Sequence, residues 1–173
     1  MYETRAELGW LDELLTTSLR GSGEHLRSIV TEGDRTLDAA QTVEVLRGMR
    51  TLAVSTVTAS GEPRISGEDG HFLHARWVFT TSGTAVKARH LRARPAVSVA
   101  HIVGDDLGIF CHGRAEFIDP ETHADFPGIE EHLVAHYGSS PRSWGPDIVY
   151  LRVQPHWMVT YAFAKERLLG GSG

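Results

Sequence analysis

Trp77-Val-Phe-Thr-Thr-Ser-Gly-Thr-Ala-Val-Lys-Ala-Arg-His-Leu91 decides how this 173-residue chain is read, because one periodicity gives way to another inside it. Its first five residues are β-branched or aromatic and read as a strand. Thr84 to about Ala93 reads as a short helix, closed off by Pro95. Gly83 permits a tight approach between the two, so Thr80, Thr81 and Ser82 stand at a helix start with Lys87 one turn in. Helix starts carry free backbone N–H groups and the positive end of the macrodipole, and hydroxyls donate to phosphate oxygens without charge cost. Together these parts make a phosphomonoester pocket. The same residues also read as ordinary helix caps beside an exposed lysine, and local pattern leaves both readings open.

Working outward, Thr51–Thr58 alternates as a strand, Ala59-Ser60-Gly61-Glu62 is a turn, and Pro63–Ser66 starts a return strand continued by Phe72 and Leu73. Gly67 and Gly70 are expected to mark a bulge or a close backbone approach. His74-Ala75-Arg76 makes the next turn. Ala96–Val103 and Leu107–Ile118 are strands joined through Gly104-Asp105-Asp106. A helical stretch after Asp119-Pro120 carries Phe126, Ile129, Leu133 and Tyr137, with Glu130 and Glu131 on its surface. Ile148–Val153 and Trp157–Phe163 read as two final strands.

Before the strands, Leu8, Leu11, Leu14 and Leu15 recur at helical spacing, His25–Val30 forms a short second helix, and Thr36 or Asp38 caps a third carrying Val43, Val45 and Leu46. The pattern implies an α+β chain: an antiparallel barrel of about six to seven strands over residues 49–165, a helical N-terminal extension over 1–48, and a flexible tail over 166–173. The apolar stripe of the extension needs a cover, a task expected of a second subunit.

Apolar content of 41% and charge of 23% fit one ordinary globular domain. A net charge of -5 argues against a nucleic-acid binder, and no apolar run is long enough for a membrane span. The N-terminus lacks the layout of a secretory signal and Cys111 is the one cysteine, so a cytoplasmic protein is expected. Lys87, Arg89, Arg92 and Arg94 cluster without an acid among them, which suits a small anionic ligand.

The ordered set Leu52-Ala-Val-Ser-Thr-Val, Gly61-Glu-Pro-Arg-Ile, Val78-Phe-Thr-Thr, Lys87-Ala-Arg-His-Leu, Arg94-Pro-Ala-Val-Ser-Val and His112-Gly-Arg-Ala-Glu resembles the pyridoxamine 5'-phosphate oxidase-like family of FMN-binding split barrels. The likeness covers about residues 42–118. It implies a split β-barrel homodimer with the cofactor, FMN, at the subunit interface and a small-molecule substrate. It places phosphate binding on Thr80, Thr81 and Lys87, beside Ser82. Val86 stands where the family has an Arg, and Arg89 or Arg64 is the candidate replacement. The resemblance puts the flavin ring along the backbone of Arg64, Ile65, Ser66 and Gly67. Glu68 and Asp69 stand where the true oxidases have a further Lys, and an acid there, by the ring's pyrimidine edge, would bind ring or substrate or form a solvated bulge; Trp157 and Tyr161 are candidate contacts from the partner subunit. The C-terminal stretch Val153–Phe163 does not resemble the aromatic, Arg-rich motif of the true oxidases, so another oxidoreductase activity is expected.

Two alternatives accompany FMN. A deazaflavin coenzyme would use its acidic tail on Arg89, Arg92 and Arg94, and a non-catalytic protein would bind flavin or haem. No metal site is expected, since His71 and His74 are three apart on a strand and point to opposite faces. Cys111, in an apolar run, is expected to be a buried inert thiol.

Overall fold

The structure, a computed structural model, describes residues 2–170. Its strands are β1 (Met49–Val57), β2 (Pro63–Leu73), β3 (Arg76–Ser82), β4 (Ala96–Val103), β5 (Leu107–Ile118) and β6 (Ile148–Ala162). They close an antiparallel barrel in the order β1-β2-β3-β6-β5-β4. The helices are α1 (Arg5–Arg20), α2 (Glu24–Ile29), α3 (Ala39–Val45), α4 (Val86–Ala93), α5 (Phe126–Tyr137) and α6 (Lys165–Gly170), with a 3-10 turn at Pro141–Trp144. The architecture is the α+β split barrel, with six strands. No helix among the described residues is long and apolar enough to cross a membrane.

The two final strands expected from the sequence are one. Pro155 reads as a break, yet β6 continues through it because β5 shifts register between His112 and Gly113, where Gly113 faces Pro155. A proline is tolerated at such an irregularity because no ladder N–H is required of it. Gly113 is needed there: a Cβ would lie 2.4 Å from the Gln154 carbonyl oxygen. No bulge occurs at Gly67 or Gly70, since β1 and β2 pair without a break from Met49↔His71 to Val57↔Pro63. At Gly70 the close neighbour is a side chain rather than backbone: a Cβ would meet Leu52 Cδ1 at 2.2 Å.

The β2–β3 turn places His74 at φ 53° and Ala75 at φ 59°, a conformation that usually selects Asn-Gly. The N-terminal segment compensates. Glu7 Oε1 sits 3.0 Å from His74 Nδ1, and the Ala75 N–H points at Glu3 Oε1, 3.5 Å away.

Thr4 and Glu7 form a capping box at the start of α1. Asp38, not Thr36, caps α3 by accepting from the Gln41 N–H. Leu11 and Leu15 join Leu52, Val54, Phe79 and Leu151 in one core. Each such burial contributes roughly 1.5–3 kcal/mol. The barrel of the same chain therefore covers the α1 stripe that was expected to need a second subunit. On the opposite side, Ile129 and Leu133 of α5 pack on Val78 and Tyr150. Glu130 is not free helix surface: it accepts a hydrogen bond from Tyr150 Oη at 2.6 Å. Of the expected tail, Glu166–Gly170 lies in α6, and 171–173 fall outside the described residues.

Candidate functional site

The barrel parts between β2 and β3. Their pairing runs from Leu73↔Arg76 only to Gly70↔Phe79. Beyond that point β2 stays on β1, and β3 follows β6 to Ser82↔Ile148. A cleft of about 320 Å³ opens there, bordered by Gly67, Glu68, Asp69, Thr80, Tyr137 and Trp144. A shallower groove of about 700 Å³ adjoins it at Gly67 and runs over the outer face of β1, past Ala53, Ala100 and Ile102.

Register explains that groove. Gly67, Ala53, Ala100 and Phe110 pair in one row across β2, β1, β4 and β5. The next row is Ile65, Ser55, Ser98, His112 and Trp157. Paired residues share a face, so this outer face is floored by small side chains and edged by apolar ones. Ile65 is 74% exposed and Ile102 59%. Gly67 has open space where a Cβ would stand.

The predicted residues divide between two faces. Ile65 and Gly67 lie on the outer face, whereas Ser66 pairs with buried Val54 and faces inward. Exposed Arg64 is tied to Glu62 at 2.6 Å. Thr80 reaches the cleft, and strand alternation turns Thr81 the other way. Glu68 is no solvated bulge: it is buried and forms an ion pair with Lys87. Its Oε1 makes no well-aligned hydrogen bond, so Lys87 Nζ is its electrostatic partner.

The helix begins at Val86 rather than Thr84, and Ala85 at its N-cap offers no side-chain hydrogen bond. The threonines therefore do not cap it, and the first-turn amides lack intrahelical acceptors. Arg92 is committed to the Gly83 carbonyl and the Phe117 ring, and Arg94 to the Val57 carbonyl. The exposed Arg89 side chain makes no hydrogen bond or ion pair among the described residues, and its backbone N–H donates to the Ala85 carbonyl at 3.1 Å.

Sequence reasoning missed Asp147. Its Oδ2 accepts from Ser82 Oγ at 2.8 Å and from the Thr84 N–H at 3.0 Å. The hydrogen bonds from Ser82 and Thr84 hold its carboxyl below the usual range. Two acids thus stand on donors that were assigned to phosphate: Glu68 on Lys87 and Asp147 on Ser82. No local pattern links partners 19 and 65 positions apart; topology brings them together.

Tyr137 and Trp144 meet edge-to-face at 4.9 Å on the cleft's far wall. Burial, and then the charge of Asp69, pushes the Tyr137 phenol up. Trp157 stacks on His112 at 4.6 Å, and with Tyr161 it packs near Leu19 and Val30 of its own chain. Trp77 is a core residue at 1% exposure. Burial pushes the Cys111 thiol up to about 12, which makes it inert. Among the described residues no group of His, Cys, Asp or Glu is arranged to hold a metal ion.

The groove's floor and the uncapped α4 start suit a flat ring carrying a phosphate, with Glu68 as a competitor for Lys87. The sequence profile of the pyridoxamine 5'-phosphate oxidase family matches residues 39–161. Among solved structures, the conserved hypothetical protein Rv2991 from Mycobacterium tuberculosis is 19% identical, with 78% of this chain and 90% of that chain covered and a TM-score of 0.65. An FAD-binding protein from Mesorhizobium loti is 20% identical over 72% of this chain and 92% of its own, with a TM-score of 0.55. The haem storage protein HutZ from Vibrio cholerae is 18% identical over 71% and 92%, with a TM-score of 0.58. These structures share the fold. No curated protein matches the chain in sequence.

Proposed function

The chain belongs to the pyridoxamine 5'-phosphate oxidase family, and from that premise we propose that it binds FMN at the β2–β3 cleft and acts as an oxidoreductase on a small molecule. The observation that carries the reading is the parting of β2 from β3. It sets an open, small-residue floor at Gly67 beside Thr80 and the Lys87–Glu68 pair. The ring would lie along the backbone of Ile65 and Gly67, and Thr80, Lys87 and Arg89 would hold the phosphate. Lys87 would exchange Glu68 for the phosphate, and the uncapped amides of α4 would add to the field. The cofactor would supply hydride and electron transfer; the protein supplies position, shape and charge. The C-terminal half of β6 carries no arginine after Arg152, which favours a substrate other than pyridoxamine phosphate.

A second copy of the chain completes this reading. Ile65, Ile102 and Phe110 are exposed along the face that holds the groove, an arrangement expected of an interface rather than of free surface. Trp157 stands in the same row as Ile65, so a symmetric pairing would bring it toward the partner's groove.

Absorbance of the purified protein, followed by titration with FMN, a deazaflavin coenzyme and haem, tests the assignment. Micromolar or tighter FMN binding with dimeric sedimentation is expected. Preference for the deazaflavin, or a Soret band with no flavin binding, would replace FMN by that cofactor.

A further inference from the structure

Tyr137, on the last turn of α5, borders the cleft. Its hydroxyl lies 3.1 Å from His71 Nε2. His71 Nδ1 lies 2.9 Å from His132 Nε2, and His132 Nδ1 lies 3.0 Å from the Tyr2 hydroxyl. His71 is 1% exposed, whereas Tyr2 is 51% exposed. Tyr2 and His132 line a second cavity of about 330 Å³, on the far side of His71 from the cleft. Four side chains therefore join two openings through one buried imidazole. The placement follows from β2: Gly67, Asp69 and His71 share its outer face, the first two at the cleft and the third beneath α5.

Both rings engage both nitrogens, and a neutral imidazole has one donor and one acceptor. The bond between the rings needs one N–H and one lone pair. If His71 Nδ1 donates, His71 Nε2 must accept from Tyr137, and His132 Nδ1 must donate to Tyr2. The alternative reverses every bond, and neutral rings permit no mixture. The surroundings keep the rings neutral. Burial, then the charges of His132 and His136, pushes His71 down to about 3. Burial, then His136, also lowers His132.

We propose that Tyr137, His71, His132 and Tyr2 form a proton relay between solvent at the second cavity and the β2–β3 cleft, with Tyr137 as its inner terminus. The inference rests on the redox reading of that cleft. For inward transfer, Tyr2 Oη–H passes its proton to His132 Nδ1, and His132 Nε2–H passes one to His71 Nδ1. His71 Nε2–H then protonates the Tyr137 oxygen, whose own proton enters the cleft, while solvent restores Tyr2. Each side chain gives one proton and takes one, each ring taking it on one nitrogen and giving it from the other, so the chain ends neutral with its polarity reversed. Uptake in one half of a redox cycle and release in the other reset it.

Two measurements decide the matter, and the first needs no cofactor. Side-chain ¹⁵N spectra of the ligand-free protein at pH 7 should show His71 and His132 as neutral tautomers. Tyr137→Phe should shift the tautomer ratio of His132, a residue it does not touch; an unchanged His132 would overturn the relay. In the FMN-loaded protein, proton uptake during dithionite reduction is followed with an indicator dye. His71→Gln keeps a donor and an acceptor but cannot exchange tautomers, so uptake should slow about a hundredfold with FMN affinity unchanged. An unchanged uptake rate would also overturn the relay, and Tyr137→Phe serves as the second variant if His71→Gln does not fold. Failure to bind FMN would strike the cofactor reading alone, leaving the spectra to judge the relay.

Discussion

The Glu68 carboxylate closes on the Lys87 ammonium between β2 and α4, with 7% of the acid's side chain and 22% of the base's exposed. A lysine expected to wait for phosphate is held by an internal anion, so a phosphate bound there would have to compete with a built-in rival.

Lys87→Ala should therefore do two things. It leaves a buried carboxylate unpaired, costing about 3 kcal/mol of stability, and removes a charged phosphate contact of about 1.5–3 kcal/mol. Glu68→Gln should release the lysine and tighten FMN binding by about tenfold. Urea melts and flavin fluorescence titrations read the two effects separately. Unaltered FMN affinity in Lys87→Ala would show that the phosphate sits elsewhere.

Gly67→Ala and Gly113→Ala should behave as opposites. A Cβ on Gly67 meets nothing within 4 Å, so folding is spared while the new methyl group rises into the groove and weakens FMN binding. A Cβ on Gly113 meets backbone at 2.4 Å, so stability should fall by about 1–3 kcal/mol or more. Thermal melts paired with titrations check both.

Acid should destabilise the protein before its carboxylates titrate. The unfolded chain protonates His71 near 6.5, the folded chain only near 3. Between those values the unfolded state holds more protons. Stability is therefore full above the upper value and falls as pH drops, by about 1.4 kcal/mol per pH unit at most for one group. His101, lowered mainly by burial, adds in the same sense. His71→Gln should flatten the decline in melting temperature between pH 7 and pH 5, relative to the unaltered protein.

Arg152 pins the start of α5 to β6. Only 10% of its side chain is exposed, and it donates to Glu116 Oε2 at 3.0 Å and Asp125 Oδ2 at 2.6 Å. Burial pushes Glu116 up, but hydrogen bonds from Gln154 and Arg152 outweigh it; Asp125 is lowered chiefly by its Arg152 hydrogen bond. That contribution is present above the unfolded carboxylate value, about 4, and is lost in stronger acid. Arg152→Leu should cost about 3 kcal/mol and speed amide exchange in α5, which hydrogen exchange would detect.

The strands β4 and β5 were legible to the residue because Pro95 and Gly104-Asp105-Asp106 punctuate them. The unity of β6 was not, because Pro155 is a breaker locally and a neutral residue opposite a register shift. Thr80 was legible as a cleft residue from its place at a strand end. Its separation from Thr81 follows from alternation, which a pocket drawn around consecutive hydroxyls ignores. His132, His136 and Tyr137 recur at i, i+4 and i+5 on one helix, a signal present in the sequence. Their meeting with His71 depends on which outer face α5 covers, and no pattern within α5 states that.

Of the barrel's strands, the one furthest along the chain lies between two made earlier: β6 sits between β3 and β5. On the ribosome, then, the barrel cannot shut until residue 162 has emerged. Both flanking strands must wait with bare ladder edges, open to pairing with neighbouring nascent chains. Synthesis stalled anywhere ahead of Ile148 would leave an open sheet in search of a partner, and expression yield should track how quickly the codons for residues 148–162 are translated.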